Sequence, residues 1–295
     1  MPSAEPLVSI GLPVRNGEEV IGPVIASVLG QDHGWVELVI TDNASTDGTE
    51  ALCRSVAATD ARVVYHRQEY NVGIVSNFVS ALSLARGTYF RWIGDDDWLD
   101  PTYVTRCLER FDADPRLILV TTQMAYITGS GDEETAAYHG TALGSDDPAE
   151  RFAELLRLLN ESHLLLDPLY GLMRREPVLG IPRRSMLRED EVFAARLALA
   201  GPWGHIPEVL ARRHRDHQRA TRIARRLDVP GWHAYAERML QCRELMRCVQ
   251  AANLTPGQRR RAVAAIGRMY VRNRAQVAAR RTRRLAVAAR LVRAR

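Results

Sequence analysis

Four short apolar runs alternate with helix-like stretches in the first hundred residues, and three of the four end on a polar cluster. Residues 7–12 (LVSIGL) are closed by Pro13. Residues 36–40 lead into Asp42-Asn43-Ala44-Ser45-Thr46-Asp47-Gly48. Residues 62–65 form the third run, and residues 88–93 pass directly into Gly94-Asp95-Asp96-Asp97. Between them, residues 18–29, 49–57 and 74–85 have helical spacing, as with Val20, Val24 and Val28. This alternation predicts an α/β fold, a mostly parallel sheet with helices on both faces. Ligands of such sheets sit beyond the carboxyl ends of the strands, where these polar clusters fall.

The rest of the chain is less regular. Residues 117–127 read as one or two strands, and 128–148 as a long polar loop of the kind that forms a lid. A helix is expected over 148–159, capped by Asp146 or Asp147, and another over 189–200, stopped by Gly201-Pro202. Residues 206–211 read as a strand, and from 219 onward the pattern is helical only. No internal repeat is visible.

Charge divides the chain. All 40 basic residues are arginine, which excludes lysine-based chemistry. Residues 256–295 hold 13 arginines and no acid, so the remainder carries 27 basic against 35 acidic residues and the basic balance belongs to the tail. Val263, Ile266, Tyr270 and Val277 suggest a narrow apolar stripe along that tail. Its arginines could lie solvated on a helix packed against the body, meet anionic lipid headgroups, or contact nucleic acid or the acidic body of a second subunit. No aromatic interleaving supports nucleic-acid binding. With no apolar run of ~18 residues and no leader-like N-terminus, a cytoplasmic location is expected, with peripheral contact at the inner membrane face through the tail. The four cysteines, with no CxxC, read as reduced and buried thiols.

Four clusters carry candidate chemistry. Pro13-Val14-Arg15-Asn16-Gly17 shapes a turn that lets backbone approach a ligand, or places Asn16 as a helix cap. Asp42 at a strand end can accept from a base imide N–H, while Ser45, Thr46 or Asp47 can cap the next helix. Asp95, Asp96 and Asp97 repel one another, a cost that a divalent cation relieves; oxygen ligands suit Mg²⁺ or Mn²⁺. Glu189-Asp190-Glu191 opens a helix, where acids are ordinary. No G-x-G-x-x-G follows the first strand, and there is no P-loop and no G-x-S-x-G elbow.

The order of these segments resembles the family 2 glycosyltransferases, with the GT-A nucleotide-sugar fold, over residues 7–217. PVRNGE at 13–18 resembles the opening P-V-Y-N-x-E, and TDNASTDGT at 41–49 resembles D-D-x-S-x-D-G-T. Asn71-Val72-Gly73 with Asn77 resembles N-x-G…N. ARGTYFRWIGDDDWLDP at 85–101 resembles A-x-G-x-Y-i-x-x-l-D-x-D-D-x-x-x-P. REDEVFAARLALAG at 188–201 resembles the E-D helix, with Arg196 and Gly201 at the expected offsets. One departure stands out: the first aspartate of D-x-D-D falls on Gly94.

The resemblance implies a GT-A catalytic domain over 1–217, a Rossmann-like, mostly parallel sheet flanked by helices. Residues 1–125 would hold the nucleotide sugar and 126–217 the acceptor, followed by a helical, arginine-rich C-terminal extension over 218–295. It implies metal-dependent, inverting transfer from a nucleoside diphosphate sugar, UDP preferred, to a hydroxyl of a natural product, a glycan or a lipid-linked acceptor. Asp190 matches the catalytic base and Asp96 the direct ligand of Mn²⁺ or Mg²⁺. Asp95 would contact the ribose or assist the metal, and Asp97 would orient both. Asp42 matches the base-recognising residue; Pro13, Arg15, Asn16 and Asn71 match the nucleotide pocket. His214, preferred to His217, would join the metal site. The rival readings are a sugar-phosphate nucleotidyltransferase, disfavoured by the missing lysine and the E-D helix, and a non-catalytic nucleotide-sugar or anionic-polymer binding protein.

Overall fold

The computed structural model describes residues 5–162, 164–214 and 220–293. In chain order the elements are β1 (Val8–Val14), α1 (Ile21–Leu29), β2 (Val36–Asp42), α2 (Thr49–Thr59), β3 (Val63–Arg67), α3 (Ile74–Leu84), β4 (Tyr89–Trp92), β5 (Trp98–Leu99) and α4 (Tyr103–Ala113). There follow β6 (Leu119–Ile127), β7 (Glu133–Glu134), α5 (Pro148–Glu161), β8 (Leu172–Arg174), α6 (Arg175–Leu179), α7 (Glu189–Ala200), β9 (Trp203–His214), α8 (Ala220–Arg226), α9 (His233–Ala251) and α10 (Pro256–Arg293).

The strands form one sheet in the order β3-β2-β1-β4-β8-β6-β9-β5, with β7 beside β6. β3, β2, β1 and β4 are parallel, as the alternation requires. β8, a three-residue strand with no sequence signal, runs antiparallel to both β4 and β6 and joins the two halves. β1 continues two residues beyond its expected end at Leu12. Its pairing with β4 stops at Gly11, so Pro13 has a neighbour on one side only and its missing N–H breaks no ladder there.

β9 is twice the expected length. A register shift opposite Thr122–Met124 lets it follow β6 to His214. Its far end pairs with β5, Trp98 opposite Arg212. That pairing staples the acidic turn after β4 against the end of β9.

Residues 128–148, expected as a lid, pack onto the body. Tyr138 and Leu143 are buried, and the Tyr138 hydroxyl donates to Glu154 at 3.3 Å. α5 begins on Asp147, whose carboxylate accepts the Ala149 N–H at 2.9 Å.

Strand alternation sends side chains to two hydrophobic clusters. One holds Ile10, Leu12, Ile21, Val24, Leu38 and Phe111. The other holds Phe90, Trp92, Phe152, Leu155 and Phe193 and extends into the last helices through Leu245, Val249, Ile266 and Met269. The stripe of α10 that packs is therefore Ala262, Ala265, Ile266 and Met269, while Val263, Tyr270 and Val277 are exposed. Of the four residues expected to form the stripe Ile266 packs, joined by Ala262, Ala265 and Met269 in place of the other three. Cys53, Cys107 and Cys248 are buried as expected, while Cys242 is half-buried.

Candidate active site

A cleft of about 730 Å³ opens at the carboxyl ends of β1 and β4. Pro13, Arg15, Asp95, Asp96, Asp190 and His214 all line it. Asn16, Asp42, Asn71 and Asp97 do not; each braces a neighbouring segment.

Asn16 takes a left-handed conformation, φ 55°, which asparagine tolerates better than most residues. Its Oδ1 accepts the Thr46 N–H at 2.8 Å and its N–H donates to Ser45 Oγ at 2.9 Å, locking the first polar loop to the second. Asp42 lies beneath the cleft, fully buried. It accepts from the Ser45 N–H, the Tyr65 hydroxyl and Arg67, each at 2.8 Å. Burial alone would raise its pKa, but these donors hold it below the usual carboxylate range. Its neighbour Asn43 lines the cleft instead. Asn43 Nδ2 donates to Asn71 Oδ1 at 2.9 Å and Asn43 Oδ1 accepts the Val72 N–H at 2.8 Å, so Asn71 secures the next loop rather than forming cleft wall.

The three consecutive aspartates diverge. Asp97 turns inward, 4% exposed, accepting the Gly94 N–H at 2.8 Å and Arg213 Nε at 3.0 Å. Arg213 also donates to Asp167 at 2.6 Å and lies over the Tyr170 ring. A Cβ at Gly94 would stand 2.8 Å from Asp97 Oδ2. The space that an aspartate at 94 would need is thus filled by the Asp97 carboxylate. Asp95 and Asp96 are left facing the cleft. Crowding by protein and the adjoining carboxylates raise both pKa values.

His214 Nδ1 donates to the Asp96 carbonyl at 2.8 Å and stands 3.9 Å from Asp96 Oδ2. A backbone carbonyl only accepts, so Nδ1 carries the proton and the Nε2 lone pair is the one a cation can use. His217 lies outside the described residues. Among the described residues no cluster of three or more His, Cys, Asp or Glu could hold an ion unaided. Asp96 and the oriented imidazole of His214 offer one oxygen and one nitrogen donor, which suits Mg²⁺ or Mn²⁺ that would complete their shells with water and substrate phosphate, with Asp95 beside them.

The acids opening α7 also part ways. Glu189 is buried against Arg183, whose Nε donates to it at 2.7 Å. Glu191 accepts from Arg188, from Gln241 at 2.6 Å and from Arg238 at 3.1 Å. Asp190 stands at the cleft with solvent access but with protein and two acidic neighbours crowded near it. That crowding, then the charges of Glu191 and Asp167, push its pKa up to about 6.

Sequence reading missed Asn43, Arg183 and Arg213. Arg183 sits among Phe78, Trp92 and Phe193, 4.8–5.4 Å from their centroids. These rings come from three different elements, and nothing near residue 183 in sequence announces them.

The family model described as glycosyl transferase family 2 matches residues 9–178, more than half of the chain. Chondroitin synthase of Escherichia coli is 34% identical over 134 residues, 45% of this chain and 19% of the synthase. The putative teichuronic acid biosynthesis glycosyltransferase TuaG of Bacillus subtilis is 34% identical over 99 residues, 33% of this chain and 38% of TuaG. The chain thus matches well under half the length of either relative. Among solved structures, S. aureus TarS 1–349 in complex with UDP-GlcNAc superposes with a TM-score of 0.67 at 17% identity, covering 90% of this chain and 72% of that one. The mannosyltransferase PcManGT from Pyrobaculum calidifontis, in complex with GDP-Man and Mn²⁺, gives 0.54 at 18% identity, covering 98% and 81%. At these identities the likeness is one of fold.

Proposed function

The chain belongs to glycosyl transferase family 2, and from that premise we propose that it transfers a sugar, with inversion, from a nucleoside diphosphate sugar to a hydroxyl of a growing glycan or lipid-linked saccharide. The observation that carries this reading is that Asp190, from α7, and the Asp95–Asp96 pair, from the turn after β4, open onto one cleft. UDP is the preferred donor nucleotide, since TarS is named with UDP-GlcNAc, while PcManGT, named with GDP-Man, keeps GDP in the test. A glycan acceptor accords with the polymer-building relatives. Residues 1–125 grip the donor and 126–217 present the acceptor, while 218–295 wall one side of the cleft through Ile223 and Glu237.

The acceptor oxygen attacks the anomeric carbon as the bond from that carbon to the diphosphate breaks. Asp190 takes the hydroxyl proton, and a pKa near 6 leaves it ionised at neutral pH. The diphosphate leaves with the electron pair. Arg15 and Arg226 line the cleft and have no ion pair among the described residues, so they are placed to meet its charge. Mn²⁺ or Mg²⁺ held by Asp96 and His214, with Asp95 beside them, would supply Lewis-acid stabilisation of the leaving group. One displacement inverts the centre, and no protein nucleophile is required.

The test is thermal unfolding with UDP, GDP, dTDP and their sugars in Mn²⁺, Mg²⁺ or EDTA, using wild type and Asp96→Ala. A ligand at 100 times its Kd stabilises by about 2.7 kcal/mol. One diphosphate should stabilise wild type in the presence of metal and fail to do so in the variant. No shift with any diphosphate would overturn the donor assignment.

A further inference from the structure

One face of α9 differs from the surface around it. Trp232, Tyr235 and Met239 are 56%, 89% and 61% exposed, and spacings of three and four residues put them on one side of the helix. Glu237 lies on the opposite side, where it pairs with Arg188 at 2.9 Å and lines the cleft. α9 therefore gives Glu237 to the cleft wall on one face and shows aromatic and thioether groups to solvent on the other. The exposed stripe continues into Arg243, and α8 adds the exposed Arg222 and Arg225; none of these three has an ion pair among the described residues. From 220 to 279 the chain carries 12 arginines against three acids, and two of those acids, Glu237 and Glu244, are paired with arginines.

We propose that this face docks onto an anionic lipid bilayer, with Trp232, Tyr235 and Met239 at the headgroup boundary and Arg222, Arg225 and Arg243 on lipid phosphates. Tryptophan and tyrosine combine an apolar body with a polar tip, which suits that boundary. The arginine fork pairs well with phosphate. An apolar wedge set among unpaired cations is the composition of an interfacial helix. A soluble acidic polymer would satisfy the arginines but leave Met239 without an apolar partner. A second copy meeting it through this same face would set like charges against each other. Among the described residues no helix is long and apolar enough to cross a membrane, so the contact is peripheral. Docking does not depend on the donor chemistry, but it bears on the acceptor. The cleft wall at Glu237 lies about one helix diameter, ~10 Å, behind the docked face, within reach of a sugar chain carried on a lipid.

The full chain is sedimented with phosphatidylglycerol–phosphatidylcholine vesicles and with pure phosphatidylcholine vesicles, at low and physiological salt. Binding is expected to the anionic vesicles only, and to weaken with salt. Arg243→Gln should weaken it about fivefold. The triple variant W232S/Y235S/M239S should abolish it while leaving the far-UV spectrum and Tm unchanged. Equal sedimentation with both vesicle types, or with neither, overturns the proposal. Wild-type binding by the triple variant reassigns the contact to the arginines of α10 and overturns it as well. Self-association that the triple variant abolishes, or displacement from vesicles by a soluble acidic polysaccharide, would show that another partner covers this face.

Discussion

At the residue scale the cleft separates side chains that the sequence sets side by side. Glu189, Asp190 and Glu191 all line the cleft, but Arg183 and the Arg188–Arg238–Gln241 group claim Glu189 and Glu191, and Asp190 alone of the three has no arginine pair among the described residues. If Asp190 is the base, transfer should fall as pH drops through about 6, where its carboxyl becomes protonated. Asp190→Asn should abolish transfer while donor-induced stabilisation persists; loss of both would assign Asp190 to binding instead. The same residue should cost stability. A carboxyl whose pKa is raised on folding favours the folded state only at low pH, below its unfolded value, and that contribution is lost as pH rises through the folded value. Asp190→Asn should therefore raise Tm at pH 7, with the gain shrinking as pH falls from 6 towards 4. A Tm unchanged across that range would contradict the raised pKa. The cluster itself was legible because acids at a helix start beside a matching motif are a local signal. The division of labour within it was not, because the arginines that decide it arrive from residues 183, 188 and 238.

At the scale of elements, α7 runs over 189–200 as its pattern predicts, because Gly201-Pro202 stops it abruptly. β8 and the end of β9 had no such punctuation. Three residues cannot show a period, and the register shift that carries β9 to His214 is set by β6. The start of α5 offered two caps and the structure uses one. Asp147 accepts the Ala149 N–H and also meets Gln258 and Arg261 of α10, whereas among the described residues Asp146 pairs only with the exposed Arg116. Asp147→Ala should cost about 1 kcal/mol, mostly from the lost cap, and lower Tm by about 2 °C in a chain of this size. Asp146→Ala should leave Tm unchanged, since an exposed ion pair contributes little. Equal effects in thermal melts would refute the capping assignment.

For the whole molecule, a functional division at residue 217 need not be a division in folding. The body alone is acidic and the tail basic, a contrast that sequence composition exposes and that invites a reading as separate units. Packing joins them: Leu245, Val249, Ile266 and Met269 are buried in the same cluster as Leu155 and Phe193. Burying one such side chain contributes about 1.5–3 kcal/mol, so these four supply about 6–12 kcal/mol as an upper estimate. Whole domains are stable by only about 5–15 kcal/mol. Removing residues 218–295 should therefore unfold the body or leave it aggregating, not release a stable catalytic core. The intact chain should melt in one transition, with far-UV circular dichroism and tryptophan fluorescence coinciding. Trp92 and Trp203 report from the buried body and Trp232 from the helical part, so fluorescence samples both. Two resolved transitions, or a truncated chain that melts at the parent's Tm, would mean that the cluster shared by α5, α7, α9 and α10 contributes far less than its burial implies.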